Sequence, residues 1–430
     1  MDMRNEIICP SLEDYMAPFM SYFHRSEGRE LAESYVSGLL MNGERKSVEP
    51  MSERVKASER GMQRLLSQVK WDEEGVLSTY QDRLLAVTSD PMGLLLFDDT
   101  GFPKKGLESV CVARQYCGAT GKTDNCQIGV GMNYIGQGVA WPFRMKLFVP
   151  ESWDSGDAEC VRRRTTTKMP DSVHYRSKWR IALELLDEAA SKQVPHLAVV
   201  ADSWYGNIPE FRQELAMRDE RYILGVYSDT RVFLESPTVE HVPPAERGRG
   251  RPRKKAEVAE VNPKPVRVSA IGAALADDTW ERLEIRRDSR NKPLVVEAAS
   301  LRVYPAHGWH NGLVHEDVWL LIERRHLANG GVELHYFFSN MSQTMPTLDL
   351  ARLNLERYRI EHGYRQLKEE LGLDHHEGRS WLGWHRHVLL TFLAYGYLTL
   401  IRLEQKKQHY RRIWSQWLQH QGILEEECFS

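Results

Sequence analysis

Two short apolar runs that each end on aspartate constrain the fold of this chain more than any other feature. They are "GLLLFDD" at residues 93–99 and "HLAVVAD" at residues 196–202. Helix-period patterns at 178–192 and 208–219 alternate with these runs and with a further apolar run at 221–229. Alternation of strands and helices of this kind predicts an α/β domain.

The stretch between the two runs adds antiparallel strands to this domain. Residues 126–136 and 139–150 have the composition of strands, and Gly136, Gln137 and Gly138 between them favour a hairpin turn. We therefore predict a mixed sheet.

The sequence texture divides the 430 residues into four parts. Residues 1–85 repeat apolar positions every three or four residues, which predicts helices. Residues 86–229 hold the first part of the α/β core. Residues 230–340 begin with a linker rich in Pro, Gly and charge and return to strand-like pieces, which predicts a β-rich insertion. Residues 341–430 predict the helices that complete the core.

Composition narrows the class of protein. The net charge is −3, and six scattered cysteines include no CxxC pair. We therefore expect reduced thiols in a cytoplasmic protein without a zinc site. The sequence contains no run of 18 or more apolar residues, so we predict no membrane-spanning helix. A nearly neutral total leaves a nucleic-acid partner open, because local clusters of Lys and Arg decide such binding.

Acidic residues stand where catalysis would place them. Asp98 or Asp99 ends one predicted strand, Asp202 ends another, and Glu361 lies in a predicted helix. Ligands gather at the carboxyl ends of strands in open α/β sheets. Carboxylate oxygens suit Mg²⁺ or Mn²⁺. Taken singly, each acid is as easily explained as an ordinary turn or capping residue.

The helix around Glu361 carries a charge pattern. Arg357, Arg365 and Lys368 lie at offsets of −4, +4 and +7 from Glu361, so one helical face holds one acid among three bases. A surface ion-pair ladder explains this pattern. An acid that holds metal beside a DNA phosphate explains it as well.

Several motifs together resemble a known family. They are "FDDTGFPKKG", "VARQYCGATGKTDNCQIGV", "VADSWYG" and "RYRIEHGYRQLKEELGLDHHEGR", which lie in order over about 280 residues, and "RKSVEPM" nearer the N-terminus. In this set the chain resembles bacterial insertion-sequence transposases of the DDE type, in the IS-four and Tn-five superfamily, and within it the IS-seven-hundred-one group.

The resemblance implies an RNase H-like core, with the β-rich insertion between the second Asp and the Glu. It implies that Asp98, Asp202 and Glu361 are the catalytic residues and the ligands of Mg²⁺, for which Mn²⁺ can substitute. Arg357 and Lys368 match the Arg and Lys of the superfamily's Tyr-Arg-Glu-Lys signature, which implies that they bind DNA phosphates near the scissile bond. Arg365 on the same helix is a further candidate DNA contact. Asn354 stands where that signature has Tyr, which puts a phosphate-contacting or water-positioning role there in doubt.

Only one of the two adjacent aspartates can face the metal ions, because neighbouring strand residues point to opposite faces. Both faces of this strand are apolar, so periodicity does not choose between Asp98 and Asp99. The family pattern of Asp, a variable residue and Thr selects Asp98.

Candidate DNA contacts come from basic residues outside the acidic set. The cluster "RGRGRPRKK" at 247–255 resembles an AT-hook, with Arg249, Arg251, Arg253 and Lys254 as minor-groove or phosphate contacts. A merely solvated loop is the alternative. The pair Lys104 and Lys105 follows the first aspartate and is a candidate phosphate contact at the rim of the site.

Aromatic and histidine residues give weaker signals. Trp280, Trp309 and Trp319 lie in the insertion, where core packing is the default and base stacking the alternative. His375 and His376 follow the catalytic helix, where loop contacts are expected rather than metal ligation.

The resemblance implies a cut-and-paste DNA transposase in the bacterial cytoplasm, associated with the nucleoid. Its partners would be double-stranded DNA, both terminal inverted repeats and target, and a second copy of the chain in the synaptic complex. The N-terminal helices would then be a DNA-binding head, although a solvated helical subdomain explains their sequence equally well. The rival function is a catalytically inactive, repurposed transposase that acts as a DNA-binding regulator or targeting factor. A third hypothesis, an unrelated α/β hydrolytic enzyme with metal-binding acids, does not explain the basic cluster or the insertion.

Overall fold

The computed structural model describes residues 11–240, 257–258, 263–287, 293–306, 317–327 and 330–421. The candidate contacts Arg249, Arg251, Arg253 and Lys254, and also Trp309, lie outside these residues.

The N-terminal part is helical, and side-chain caps start three of its helices. Ser11, Ser58 and Asp72 each accept a hydrogen bond from a backbone N–H in the first turn that follows. A 3₁₀ turn at Ala17–Tyr22 joins the first two helices. The helices are α1 Leu12–Met16, α2 Ser26–Leu40, α3 Val48–Val55, α4 Glu59–Ser67 and α5 Glu73–Thr88.

A five-stranded sheet forms the core. Strand β1 pairs antiparallel with β3 and parallel with β5, while β4 extends β3 and β6 extends β5. The five core strands are β1 Leu94–Pro103, β3 Lys122–Gly136, β4 Val139–Leu147, β5 Ala198–Ala201 and β6 Tyr222–Val226, and a further strand, β2 Ala113–Cys117, pairs antiparallel with β3. Its helices are α6 Ala158–Thr167, α7 Lys178–Ser191, α8 Ser203–Gly206 and α9 Pro209–Met217. The order β4-β3-β1-β5-β6, with three antiparallel strands followed by two parallel ones, is the RNase H-like arrangement.

The insertion continues the core sheet. Its last strand, β14, pairs antiparallel with β6, and β13, β12 and β11 follow outward in turn. The elements are β7 Arg231–Phe233, β8 Val239–Glu240, β9 Glu257–Val258, β10 Val266–Arg267, α10 Val268–Ala274, β11 Glu281–Arg287, β12 Pro293–Pro305, β13 Val318–His326 and β14 Val332–Ser339. The predicted mixed-sheet core with a β-rich insertion is therefore confirmed.

The C-terminal helices return to the core. They are α11 Thr347–Leu355, α12 Tyr358–Arg365, a π-helical turn Gln366–Glu370 and α13 Trp381–Gln421. The sequence pattern over 347–372 predicts one long helix that stops at Gly372. The prediction of an unbroken helix is wrong, because the backbone N–H groups of Arg357 and Arg359 bond three residues back, to Asn354 O and Glu356 O. These tighter bonds break the helix before Glu361. Gly372, with φ of +66°, ends the helical run as predicted.

A shared hydrophobic core joins the helical part to the sheet. Tyr15 OH donates to Leu393 O of α13, and Tyr80 OH donates to Pro142 O of β4. Across the described ranges, no helix is both long enough and apolar enough to cross a membrane.

Candidate active site

Asp98 and Asp202 lie side by side because they follow the same step of two parallel strands. Phe97 of β1 is in register with Ala201 of β5, and this is the last pair between those strands. The aspartates are the next residue on each strand. Strand β1 itself does not end there, contrary to the sequence prediction, because it runs on beside β3 to Pro103.

Asp202 is the N-cap of α8. Its Oδ1 accepts hydrogen bonds from the backbone N–H of Trp204 at 2.9 Å and of Tyr205 at 3.3 Å. Burial raises the pKa of Asp202, and the two N–H donors oppose that shift. The cap therefore fixes the direction of this carboxylate at the end of β5.

The site of Asp98 disfavours the charged form of its carboxyl group. Its Oδ1 accepts the backbone N–H of Asp99 at 2.9 Å. Burial and then the negative charge of Asp202 raise the pKa of Asp98 to about 8. The Arg357 guanidinium opposes this shift without cancelling it.

Asp99 points away from the catalytic helix. Gly131 is the cross-strand partner of Asp98, and a Cβ on Gly131 would meet the hydroxyl of Tyr364 in α12. Cross-strand partners share a face, so Asp98 faces α12 and Asp99 faces α7. Lys178 Nζ of α7 lies 2.7 Å from Asp99 Oδ2.

Glu361 shares a cleft of about 680 Å³ with Asp202. Residues of β12, β13 and β14 in the insertion line the opposite side of that cleft. The Glu361 side chain is 59% exposed, and its Oε1 lies 3.1 Å from Arg357 Nη2. In the part of the chain that the structure describes, no three His, Cys, Asp or Glu residues are close enough to hold a metal ion. In this structure the partner of the Glu361 carboxylate is the Arg357 guanidinium.

A family model described as DDE superfamily endonuclease matches residues 18–292. The chain belongs to this family. The match includes both aspartates and ends before Glu361.

Two individual proteins are also similar to this chain. The chain is 28% identical over 181 residues to a probable transposase for insertion sequence element IS701 from Microchaete diplosiphon. That match covers 41% of this chain and 43% of the relative, so the chain spans less than half of the relative's length. A piggyBac transposase synaptic complex with hairpin DNA matches with 9% identity and a TM-score of 0.37, over 94% of this chain and 80% of that chain.

The remaining candidate bases of the endonuclease have different environments. Lys368 Nζ donates to Gly101 O at 2.8 Å, and burial lowers the pKa of Lys368. Lys104 Nζ donates to His376 O at 2.6 Å, and burial lowers its pKa as well. Arg365 and Lys105 are exposed. Lys104 therefore stabilises the loop that follows the helix of Glu361.

Asn354, which stands where the Tyr-Arg-Glu-Lys signature has Tyr, is buried and hydrogen-bonded. Its Nδ2 donates to Oε1 of the fully buried Glu323 at 2.5 Å, and Arg325 pairs with the other Glu323 oxygen. The side chain at 354 thus stabilises the junction between α11 and β13.

The weaker candidates have packing roles. The indole N–H of Trp319 donates to Ser342 O, and the Arg324 guanidinium lies 4.4 Å from the ring centroid of Trp280. His376 is buried, and its ring stacks on that of His387. His375 accepts the backbone N–H of Lys46 through Nδ1.

Sequence reasoning missed Lys178 and Tyr205. Tyr205 lies within the "VADSWYG" motif, and its position three residues after Asp202 places its N–H at the helix cap. Nothing in the sequence joins Lys178 to Asp99, because 79 residues separate them.

The donor set fits a divalent cation. Endonucleases of the DDE superfamily generally use divalent metal ions. Two adjacent carboxylates supply hard oxygen donors, and burial and then the charge of Asp202 raise the pKa of Asp98, so a bound cation would favour the charged form of Asp98. Glu361 lines the same cleft as Asp202, but in the described residues it does not form a three-carboxylate group with the two aspartates.

Proposed function

We propose that this endonuclease is a DNA transposase that cleaves at the ends of a mobile element and joins them to target DNA. The observation that carries the proposal is the placement of Asp98 and Asp202 at the ends of the paired region of adjacent parallel strands, with Glu361 lining the same open cleft as Asp202.

Asp98, Asp202 and Glu361 would hold Mg²⁺, or Mn²⁺ in its place. Two such ions, when bound, would activate an attacking oxygen and stabilise a leaving oxygen in phosphoryl transfer. The protein's own contribution is to fix the carboxylates. The α8 cap orients Asp202, and the backbone N–H of Asp99 orients Asp98.

Basic residues would bind the DNA backbone beside this site. Arg357 pairs with Glu361, and its charge also acts on Asp98 and Asp202, so phosphate binding would draw it from Glu361 and leave that carboxylate free. Arg365 is exposed on the same helix. Lys368 holds the β1 carbonyl of Gly101 and thereby keeps α12 against the strand that carries Asp98.

Other proposed DNA contacts come from outside the site. Lys105 at the exposed turn after β1, with Lys104 behind it, would contact phosphate at the rim. Arg249, Arg251, Arg253 and Lys254 remain proposed contacts with minor groove or phosphate. Joining two element ends in one reaction requires two active sites, so we propose a dimer in the synaptic complex.

Cleavage of DNA that carries the sequences flanking the reading frame tests the proposal. Wild-type protein should nick such duplexes only with Mg²⁺ or Mn²⁺, and the freed 3′-hydroxyl ends should join a target plasmid. Asp202→Asn should abolish both steps while it retains DNA binding. Undiminished cleavage by Asp202→Asn would refute the assignment, and DNA binding without any cleavage by wild type would favour the inactive regulator.

A further inference from the structure

We infer that Asp99, Tyr205 and Lys178 form a positioning network that fixes Asp98 and Asp202 at the spacing a divalent cation requires. The inference rests on the proposed function, because it assigns a role in that reaction to residues that do not contact the reacting atoms.

Tyr205 bridges the two strands. Its hydroxyl donates to Asp99 Oδ1 at 2.7 Å, while its backbone N–H donates to Asp202 Oδ1 at 3.3 Å. One residue thus contacts the carboxylate that caps α8 and the carboxylate beside Asp98. Tyr205 is only 1% exposed, so its ring is held by packing.

Asp99 passes this contact on to Asp98. Its backbone N–H donates to Asp98 Oδ1 at 2.9 Å. A continuous path therefore runs from Asp202 through Tyr205 and Asp99 to Asp98. Any displacement of Asp99 changes the direction of the Asp98 carboxylate, because the donor lies on the backbone of Asp99 itself.

Lys178 compensates the charge that this path introduces. Its Nζ lies 2.7 Å from Asp99 Oδ2, and both side chains are 21% exposed. The same ammonium lies 4.9 Å from the ring centroid of Trp204 and 5.8 Å from that of Phe148. Two aromatic faces and one carboxylate therefore fix the cation. Without it, Asp99 would add a third uncompensated negative charge beside Asp98 and Asp202.

These contacts also distinguish Asp99 from a metal ligand. Oδ1 has the Tyr205 hydroxyl as its partner, and Oδ2 has the Lys178 ammonium. A cation at Asp99 would displace a charged partner, whereas at Asp98 it would supply charge that is missing. Groups that orient ligands from behind are typically worth about 10–100-fold in metal affinity or activity.

Binding of Mn²⁺, followed by electron paramagnetic resonance without DNA, tests the network apart from catalysis. Tyr205→Phe removes only the hydroxyl and keeps the backbone N–H for Asp202. We expect its Mn²⁺ dissociation constant to rise about 10–100-fold, with cleavage largely recovered at saturating Mn²⁺. Tyr80→Phe is the matched control, because it removes a buried hydroxyl that donates to a distant carbonyl, Pro142 O.

Three further variants separate positioning from ligation and from folding. Asp99→Asn should weaken Mn²⁺ binding to a similar degree, and Lys178→Arg should retain more affinity than Lys178→Met. Unchanged Mn²⁺ affinity in Tyr205→Phe, with stability like Tyr80→Phe, would overturn the inference. Loss of binding in Asp99→Asn that excess Mn²⁺ does not restore, with normal Tyr205→Phe, would make Asp99 a ligand and also overturn it. Undiminished cleavage by Asp98→Asn would instead refute the proposed function.

Discussion

Replacing Asp98 by asparagine should make the metal-free protein more stable, because Asp98 is held at a site that disfavours its charge. The rise in pKa from 3.8 to about 8 is about four units, and at about 1.4 kcal/mol per unit the upper limit is about 6 kcal/mol. The side chain keeps partial contact with solvent, so we take about half of that limit, about 3 kcal/mol, to account for screening.

The gain should depend on pH in one direction. The folded protein binds the Asp98 proton more tightly than the unfolded chain does. The stability that this proton contributes is therefore complete below about pH 4, and it is lost as the pH rises through about 8. The asparagine side chain does not titrate, so the advantage of Asp98→Asn should grow over that interval and level off above it.

Urea unfolding in EDTA at pH 5 and pH 8 measures this advantage, with Asp171→Asn as the control at an exposed aspartate. Added Mn²⁺ should then reverse it. At 100 times the dissociation constant, a bound ion stabilises wild type by about 2.7 kcal/mol, which nearly closes the gap with Asp98→Asn. A variant no more stable than wild type at pH 8, or equally favoured at pH 5 and pH 8, would refute the reasoning.

Three further variants and one chelation experiment test the remaining assignments. Lys368→Met should lower cleavage about 10–100-fold by releasing α12 from Gly101 O, whereas Lys105→Met should mainly weaken DNA binding; equal cleavage by Lys368→Met and wild type would contradict this. Asn354→Ala should lower the free energy of unfolding by about 1.5–3 kcal/mol, because it removes a donor to the buried Glu323 carboxylate, and an unchanged urea midpoint would contradict that role. Chelation with EDTA should stop cleavage and Mn²⁺ should restore it, and cleavage that persists in EDTA would exclude metal dependence.

The sequence predicted local features better than distant contacts. The apolar runs before Asp98 and Asp202 predicted two strands, and the structure brings these aspartates together because the strands are parallel neighbours. Alternation alone did not choose between Asp98 and Asp99, since both faces of the strand are buried. The contacts that distinguish Asp99 from Asp98 are those of Asp99 with Lys178 and Tyr205, which lie 79 and 106 residues away in the sequence.

The buried role of Asn354 was equally inaccessible to sequence reasoning. Helical spacing placed it on the same element as Arg357 and Glu361, but the break in the helix separates α11 from α12. Its partner, Glu323, lies in the insertion and is read from the sequence as an ordinary charged strand residue. A buried acid is recognised only when the fold supplies its donors, here Asn354 and Arg325.

The divided helix explains how the insertion and the core act on one residue. The first segment of the divided helix, α11, contacts the insertion through the hydrogen bond between Asn354 and Glu323. The last segment, the π-helical turn, contacts β1 through the hydrogen bond from Lys368 to Gly101 O. Glu361 lies on the short helix between these two anchors. If Glu361 joins Asp98 and Asp202 at one cation, as proposed, the pair between Arg357 and Glu361 is the contact that must change.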